Sequence, residues 1–265
     1  MIFIESPEDP RIAGFRDIRE RDLTGRQGLF VAEGEVVLRV LTSSRALCRP
    51  RAVLLAENRY EGLADALTGL AEDVPVYVVG QGVLDAIAGF PLHRGILALG
   101  EKPSPRPLDA LIGDMGADAT VILACGIGNH DNMGGIFRNA AAFGADAVLL
   151  DQRCCDPFYR KAIRVSVGAA LRTPMATGLE PIPAIESLKA ADFPVLAMTP
   201  SATLSLDHAP TGGRVAIVLG PEGPGLDSEV IARCEPVGIR MSGGFDSLNV
   251  AVAGAIALHH FARRA

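Results

Sequence analysis

Three short stretches carry the residues with which this chain could do chemistry. Each sets glycines close to a polar side chain: residues 126–134 with Asn132, residues 219–226 with Glu222, and residues 241–248 with Asn249 just beyond. Each follows an apolar run that reads as a strand and leads into a run that reads as a helix. Glycine has no side chain to hold a ligand away from the backbone. In an open parallel sheet, such loops gather at the carboxyl edge of the strands, where ligands bind. One such loop is an ordinary tight turn, but three with polar side chains read as a single site. The ligand class stays open at this level. Gly126-Ile127-Gly128 followed by His130 and Asp131 is not a dinucleotide fingerprint, and the 220–225 loop lacks the Lys-Ser/Thr of a triphosphate loop. No metal-ligand cluster is present in the sequence.

The elements that must position these loops are legible as alternating apolar and amphipathic runs. In the last stretch, residues 237–241 read as a strand and Ser242, Gly243 and Gly244 as a turn. Asp246 or Ser247 is placed to cap the following helix. Leu248, Val252 and Ile256, with Phe261 near the same face, predict the buried side of that helix. Ala251, Ala253, Gly254 and Ala255 keep its other faces thin enough for close packing against a second element or a second copy. Upstream, strands are expected at 119–125, 147–150, 194–198 and 214–220. Helices are expected at 135–143, at 156–170 and from 226 onward.

Alternating prolines at Pro103, Pro105 and Pro107 mark a stiff break. The expected organisation is a small α/β domain over residues 1–102, a Pro-rich linker at 103–114 and a second α/β domain over 115–265. The first domain alternates strands (28–32, 51–55, 75–79, 95–99) with helices near 33–41 and 62–71, and so reads as a compact α/β sandwich.

The 265 residues carry a formal charge of −6, and acids outnumber bases both over 1–110 (16 to 13) and over 111–265 (15 to 12). Charge alone therefore does not announce a nucleic-acid partner. The basic signal is local: the arginines from Arg11 to Arg26, His93 with Arg94, and Arg160, Lys161 and Arg164. Five cysteines without paired spacing read as reduced, mostly buried thiols, the adjacent Cys154 and Cys155 included. No apolar run is long enough to span a bilayer and no signal pattern opens the chain, so a cytoplasmic protein is expected.

Residues 132–144, Asn132-Met-Gly-Gly-Ile-Phe-Arg138-Asn-Ala-Ala-Ala-Phe-Gly144, resemble the first motif of the SpoU/TrmH family of RNA ribose methyltransferases (the SPOUT class). Residues 218–226, Val-Leu-Gly-Pro-Glu222-Gly-Pro-Gly-Leu, resemble the second, and residues 239–243 with 247–252 the third. Residues 155–168 are similar to the family's middle segment, and Phe30-Val-Ala-Glu33-Gly34 to its RNA-substrate-binding domain. Two positions depart from the pattern: His130 and Arg240 stand where proline is frequent.

The resemblance implies an N-terminal α/β substrate-binding domain and a C-terminal α/β trefoil-knot methyltransferase domain through which the chain forms a homodimer. It implies S-adenosyl-L-methionine as methyl donor and the ribose 2′-hydroxyl of tRNA or rRNA as acceptor. Thr199, Leu219, Gly220, Ile239, Met241 and Leu248 are then the cofactor-binding residues. Asn132, Arg138, Glu222, Ser247 and Asn249 form the catalytic set. Methyl transfer from a sulfonium calls for alignment and the handling of one proton. A guanidinium rarely releases its proton, so Arg138 is read as a clamp on the adjacent phosphate and on developing negative charge, although the family mechanism casts it as a base. Glu222 either orients Arg138 or caps the helix after it. His259 and His260 read as interface or surface residues. A catalytically silent RNA-binding paralogue and a small-molecule enzyme with a Rossmann-like cofactor site are the competing classes.

Overall fold

The structure is a computed structural model and describes residues 1–16, 25, 27–88, 95–243 and 247–262. Arg19, Arg21, Arg26, His93 and Arg94 of the expected basic patch, and Gly244 and Asp246 of the last turn, lie outside the described residues. Twelve strands are described: β1 (Ile2–Ile4), β2 (Leu29–Glu33), β3 (Arg49–Ala56), β4 (Val76–Val79), β5 (Ile96–Glu101), β6 (Ala119–Ala124), β7 (Ala147–Asp151), β8 (Met175–Leu179), β9 (Val195–Met198), β10 (Leu204–Ser205), β11 (Arg214–Leu219) and β12 (Glu235–Gly238). The described α-helices are α1 (Glu35–Leu41), α2 (Ala64–Leu67), α3 (Gln81–Ala88), α4 (Leu108–Gly113), α5 (His130–Phe143), α6 (Arg160–Val165), α7 (Pro181–Ala190), α8 (Ser228–Ala232) and α9 (Val250–Phe261).

The chain divides into two compact units. The first comprises residues 1–103 with 156–172. Its five-stranded sheet has the order β1-β4-β3-β5-β2, with β3 and β2 antiparallel to β5 and the rest parallel. Ile12, Phe15, Val31, Leu54, Leu84 and Leu97 belong to its core. The 156–172 segment, expected with the second half of the chain, packs here because Phe158 lays its ring 5.4 Å from that of Phe30 and Asp156 pairs with Lys102. It is also less helical than its periodicity predicts. Val167 and Gly168 take positive φ (55° and 80°) and end the helix after α6. The helix expected at 62–71 shrinks to a 3₁₀ turn and the four residues of α2.

The second unit comprises residues 104–155 and 173–265. Its seven strands are all parallel, in the order β10-β12-β9-β11-β6-β7-β8. The Ala-Thr-Val-Ile-Leu-Ala run of β6 is buried at every position, as a central strand covered on both faces requires. Part of the expected linker is structured here, because α4 follows Pro107 directly and buries Leu111 and Ile112. The sheet places the carboxyl ends of β6, β11 and β9 side by side, and the three glycine loops start from that edge and from β12 next to it.

Candidate active site

α5 begins at His130, five residues earlier than its hydrophobic period suggests. The Asn129 side chain caps it, accepting the Asp131 and Asn132 amides at 2.7 and 3.4 Å. This turn buries Asn132 to 7% exposure. α9 starts the same way. Its cap is Asn249, which accepts the Ala251 and Val252 amides at 3.0 and 3.2 Å, and not Ser247. The strand before it also ends sooner, at Gly238, leaving 239–241 free to line a cavity.

The buried face of α9 differs from the expected one at all but Phe261. Leu248, Val252 and Ile256 are 38%, 47% and 38% exposed, whereas Val250, Ala251, Gly254, Ala257, Leu258 and Phe261 are buried. The reason is the closeness of α5 and Leu219. A Cβ on Gly135 would stand 2.7 Å from the Ala251 methyl, and one on Gly254 would stand 2.9 Å from Leu219 Cδ1. Only small residues fit at those two contacts, and Leu248, Val252 and Ile256 are turned outward.

A cleft of about 540 Å³ opens at the carboxyl edge. Thr199, Leu219, Gly220, Ile239, Met241 and Leu248, the six residues expected to bind the cofactor, all line it, together with Glu222, Ser247 and Asn249. Its floor depends on Gly220, where a Cβ would meet the Leu226 nitrogen at 2.6 Å and the Gly225 carbonyl carbon at 2.8 Å. The 219–226 loop thus folds back on its own backbone. Asn132 meets the cleft through a bond: Asn249 Nδ2 donates to Asn132 Oδ1 at 2.8 Å and to Glu222 Oε1 at 2.7 Å. One amide therefore ties together the polar residues of all three loops while its oxygen caps α9.

Two expectations for this cluster change. Glu222 neither pairs with Arg138 nor caps the helix that follows; its partner is Asn249. Arg138 is exposed on α5, is absent from the cleft lining and forms no ion pair among the described residues. Arg240, one of the departures from proline, pairs with Asp207 and so ties the 239–241 segment to the turn after β10. The Asp207 carboxyl is held below its usual range, chiefly by the Ser205 hydroxyl. His130 is the first residue of α5. His259 sits edge-on to Phe143, and His260 Nε2 lies 3.0 Å from the Ala209 carbonyl oxygen.

A supporting network escaped sequence reasoning. The Asp151 side chain is fully buried at the end of β7. Its Oδ1 accepts the Gly126 and Arg153 amides at 2.9 and 3.0 Å, and its Oδ2 pairs with Arg153 Nε at 3.2 Å. Arg153 reaches on to Asp227 at 3.0 Å, next to the second glycine loop. The available signal was an aspartate closing the apolar run of β7. The Cys154 thiol bridges the same region, donating to Ala124 O and accepting from Ile127 N, both at 3.3 Å. Burial pushes it upward in pKa, in keeping with a reduced structural thiol. Among the described residues, no group of three His, Cys, Asp or Glu is placed to hold a metal ion, and no helix is long and apolar enough to cross a membrane.

With this geometry in place, likeness to known proteins becomes specific. Residues 119–259, which hold all three loops, match the family model described as the SpoU rRNA Methylase family. The chain is 37% identical to an uncharacterized tRNA/rRNA methyltransferase of Mycobacterium tuberculosis, over 97% of this chain and 90% of that protein. It superposes on the crystal structure of an RNA 2′-O ribose methyltransferase with a TM-score of 0.75 and 26% identity, covering 98% and 97% of the two chains. An AdoMet-bound rRNA methyltransferase from Sinorhizobium meliloti gives 0.78 at 22% identity, covering 97% and 96%, and supports the fold alone.

Proposed function

The chain belongs to the SpoU rRNA methylase family, and on that premise we propose that it transfers the methyl group of S-adenosylmethionine to a ribose 2′-hydroxyl of tRNA or rRNA. Family membership makes it an S-adenosylmethionine-dependent tRNA/rRNA methyltransferase; the choice of the ribose oxygen is our reading of the site. The observation that carries this reading is the Asn249 amide, bonded to Asn132 and Glu222 beside the cleft.

The residues present fit this cofactor. The cleft has the volume of a small-molecule site. Leu219, Ile239, Met241 and Leu248 offer apolar walls, and the Thr199 and Gly220 backbones offer polar groups for orientation. The cofactor supplies an activated methyl on a sulfonium. The chain's own task is then positional: Asn249 holds Asn132 and Glu222 in fixed directions at the cleft edge, and Ser247 adds a hydroxyl there. An amide network of this kind orients a ribose without competing for the methyl group.

Arg138 remains the clamp for phosphate and developing oxyanion charge, supplied by a second copy of the chain. Two facts support this. Arg138 stands free and exposed outside the cleft of its own chain. Leu248, just before α9, and Val252 and Ile256 on it form an exposed apolar stripe, and α9 packs on the helix that carries Arg138. A second copy laid on that stripe covers it and delivers its own arginine. We also assign a trefoil knot to the second unit, supported by a sheet order in which β12 lies between β9 and β10, and RNA binding to the first unit.

The test is transfer of labelled methyl from S-adenosylmethionine into total RNA from cells lacking the gene, followed by alkaline hydrolysis. A 2′-O-methyl blocks cleavage of its own phosphodiester, so label is expected in alkali-resistant dinucleotides. Label recovered only as base-methylated mononucleotides would overturn the ribose assignment.

A further inference from the structure

The first unit contains a second cavity, of about 440 Å³, lined by Glu33, Val36, Arg59, Ile96, Arg164 and Val167 among others. Nothing in the methyl-transfer site uses it. Four observations set it apart from an ordinary surface hollow. The Glu33 side chain is only 10% exposed, and its nearest cation among the described residues, Arg160, stands at 3.9 Å, beyond hydrogen-bond reach. No hydrogen bond to its carboxylate occurs among the described residues, although buried carboxylates are normally bonded. Arg59 and Arg164 are exposed and carry no ion pair among the described residues, in a chain where most described arginines do. Val36 is 55% exposed. Val167 holds φ at 55°, a left-handed conformation that is costly for a β-branched residue and concentrates at ligand sites.

A carboxylate with open acceptor positions calls for a ligand with N–H donors. Apolar residues on either side, Val36, Ile96 and Val167, suit a flat ring. Free guanidiniums at the rim suit phosphates. Among RNA bases, guanine alone presents two adjacent N–H donors, N1–H and N2–H, on its Watson–Crick edge. Adenine, cytosine and uracil offer one donor beside acceptors that a carboxylate repels.

We propose that this cavity receives an unpaired guanine of the RNA substrate, with Glu33 accepting N1–H and N2–H and with Arg59 and Arg164 on the flanking phosphates. The proposal rests on the reading above only in taking RNA as the ligand. Unpaired bases are the part of RNA that proteins read by sequence, so this pocket would select which RNA reaches the cleft.

The test uses the full chain and three five-nucleotide RNAs, UUGUU, UUIUU with inosine, and UUAUU, measured by fluorescence anisotropy at low salt. Inosine lacks only the N2 amine. UUGUU is expected to bind about tenfold tighter than UUIUU and tighter still than UUAUU, the size of one lost base-edge hydrogen bond. Glu33→Gln is expected to erase the preference, and Arg59→Ala to weaken all three RNAs alike. Equal binding of the three by the unsubstituted protein overturns the proposal. An independent readout needs no variant. A 6-thioguanine-centred RNA should photocross-link to peptides containing Val36 or residues 164–167, and cross-links confined to other peptides overturn it. Calorimetric binding of S-adenosylmethionine by the same preparation separates the two readings. Cofactor binding and methyl transfer without guanine preference remove the pocket alone, whereas guanine preference without cofactor binding removes the methyltransferase site alone.

Discussion

Asn249 donates to Asn132 across 117 residues of sequence at 2.8 Å, with the same nitrogen 2.7 Å from Glu222. Its oxygen is meanwhile committed to the first turn of α9. A single side chain therefore couples the stability of the last helix to the geometry of the site.

Asn249→Ala should cost roughly 2–4 kcal/mol: about 1 for the helix cap and about 1–3 for leaving the buried Asn132 oxygen without its donor. Asn249→Asp separates the two roles. Aspartate caps as well as asparagine, but it cannot donate, and it sets a second carboxylate beside Glu222. Its urea midpoint should lie above that of the alanine variant by no more than the cap's share of about 1 kcal/mol, while methyl transfer falls at least about tenfold, a loss of one oriented hydrogen bond. Normal transfer by Asn249→Asp would contradict the role given to this amide.

Gly220→Ala should abolish tight cofactor binding. Its methyl would press on main chain at 2.6 and 2.8 Å, where no side-chain rotation gives relief. Isothermal calorimetry with S-adenosylmethionine measures the loss, and affinity within about twofold of the parent would show that the loop yields more easily than its packing suggests.

Arg138→Ala should leave the thermal midpoint unchanged, because the side chain is exposed and free of ion pairs, yet abolish methyl transfer. Arg138→Lys should rescue little, since a point charge lacks the planar fork. Mixing Arg138→Ala with Asn249→Asp should restore part of the activity, because mixed dimers contain one site with both groups intact. No recovery on mixing would mean that each chain uses its own arginine.

Burial raises the Cys125 and Cys48 thiols to about 12 and Cys234 to about 11 from an ordinary 9.0. Their thiolates are scarce in the folded state, so alkylation of these three cysteines at pH 8, followed by peptide mapping, should be slow until urea unfolds the chain. The stability consequence has a definite sign. These thiols hold their protons more tightly when folded, so their contribution is complete below the unfolded pKa near 9 and declines as pH rises towards 11–12. Urea midpoints should fall between pH 8.5 and 10.5, and Cys125→Ala should reduce that slope.

Much of this was legible in the sequence because it is local. The central strands β6 and β11 announce themselves as unbroken apolar runs, since a strand covered on both faces has no polar side to show. The glycine loops and their polar residues were equally readable, and all six residues expected at the cofactor cleft line one cavity. What failed was what depends on neighbours. Periodicity assigns Leu248, Val252 and Ile256 to the core, but Gly135 and Leu219 approach so closely that only Ala251 and Gly254 fit against them, and those three turn outward. Helix caps were misplaced for a similar reason. Ser247, Asp246 and Asn249 all have the chemistry, and the bonds to Asn132 and Glu222 select Asn249.

Sequence alone determined the parallel α/β sheet, the three loops and the identity of the groups in them, because hydrophobic period and glycine placement act over a few residues. Tertiary structure alone decided that Glu222 answers to Asn249 and not to the Arg138 of its own chain, that Asp151 braces the loops from within, and that residues 156–172 pack with the first unit. Those outcomes depend on distances between segments far apart in the chain, which no local pattern encodes.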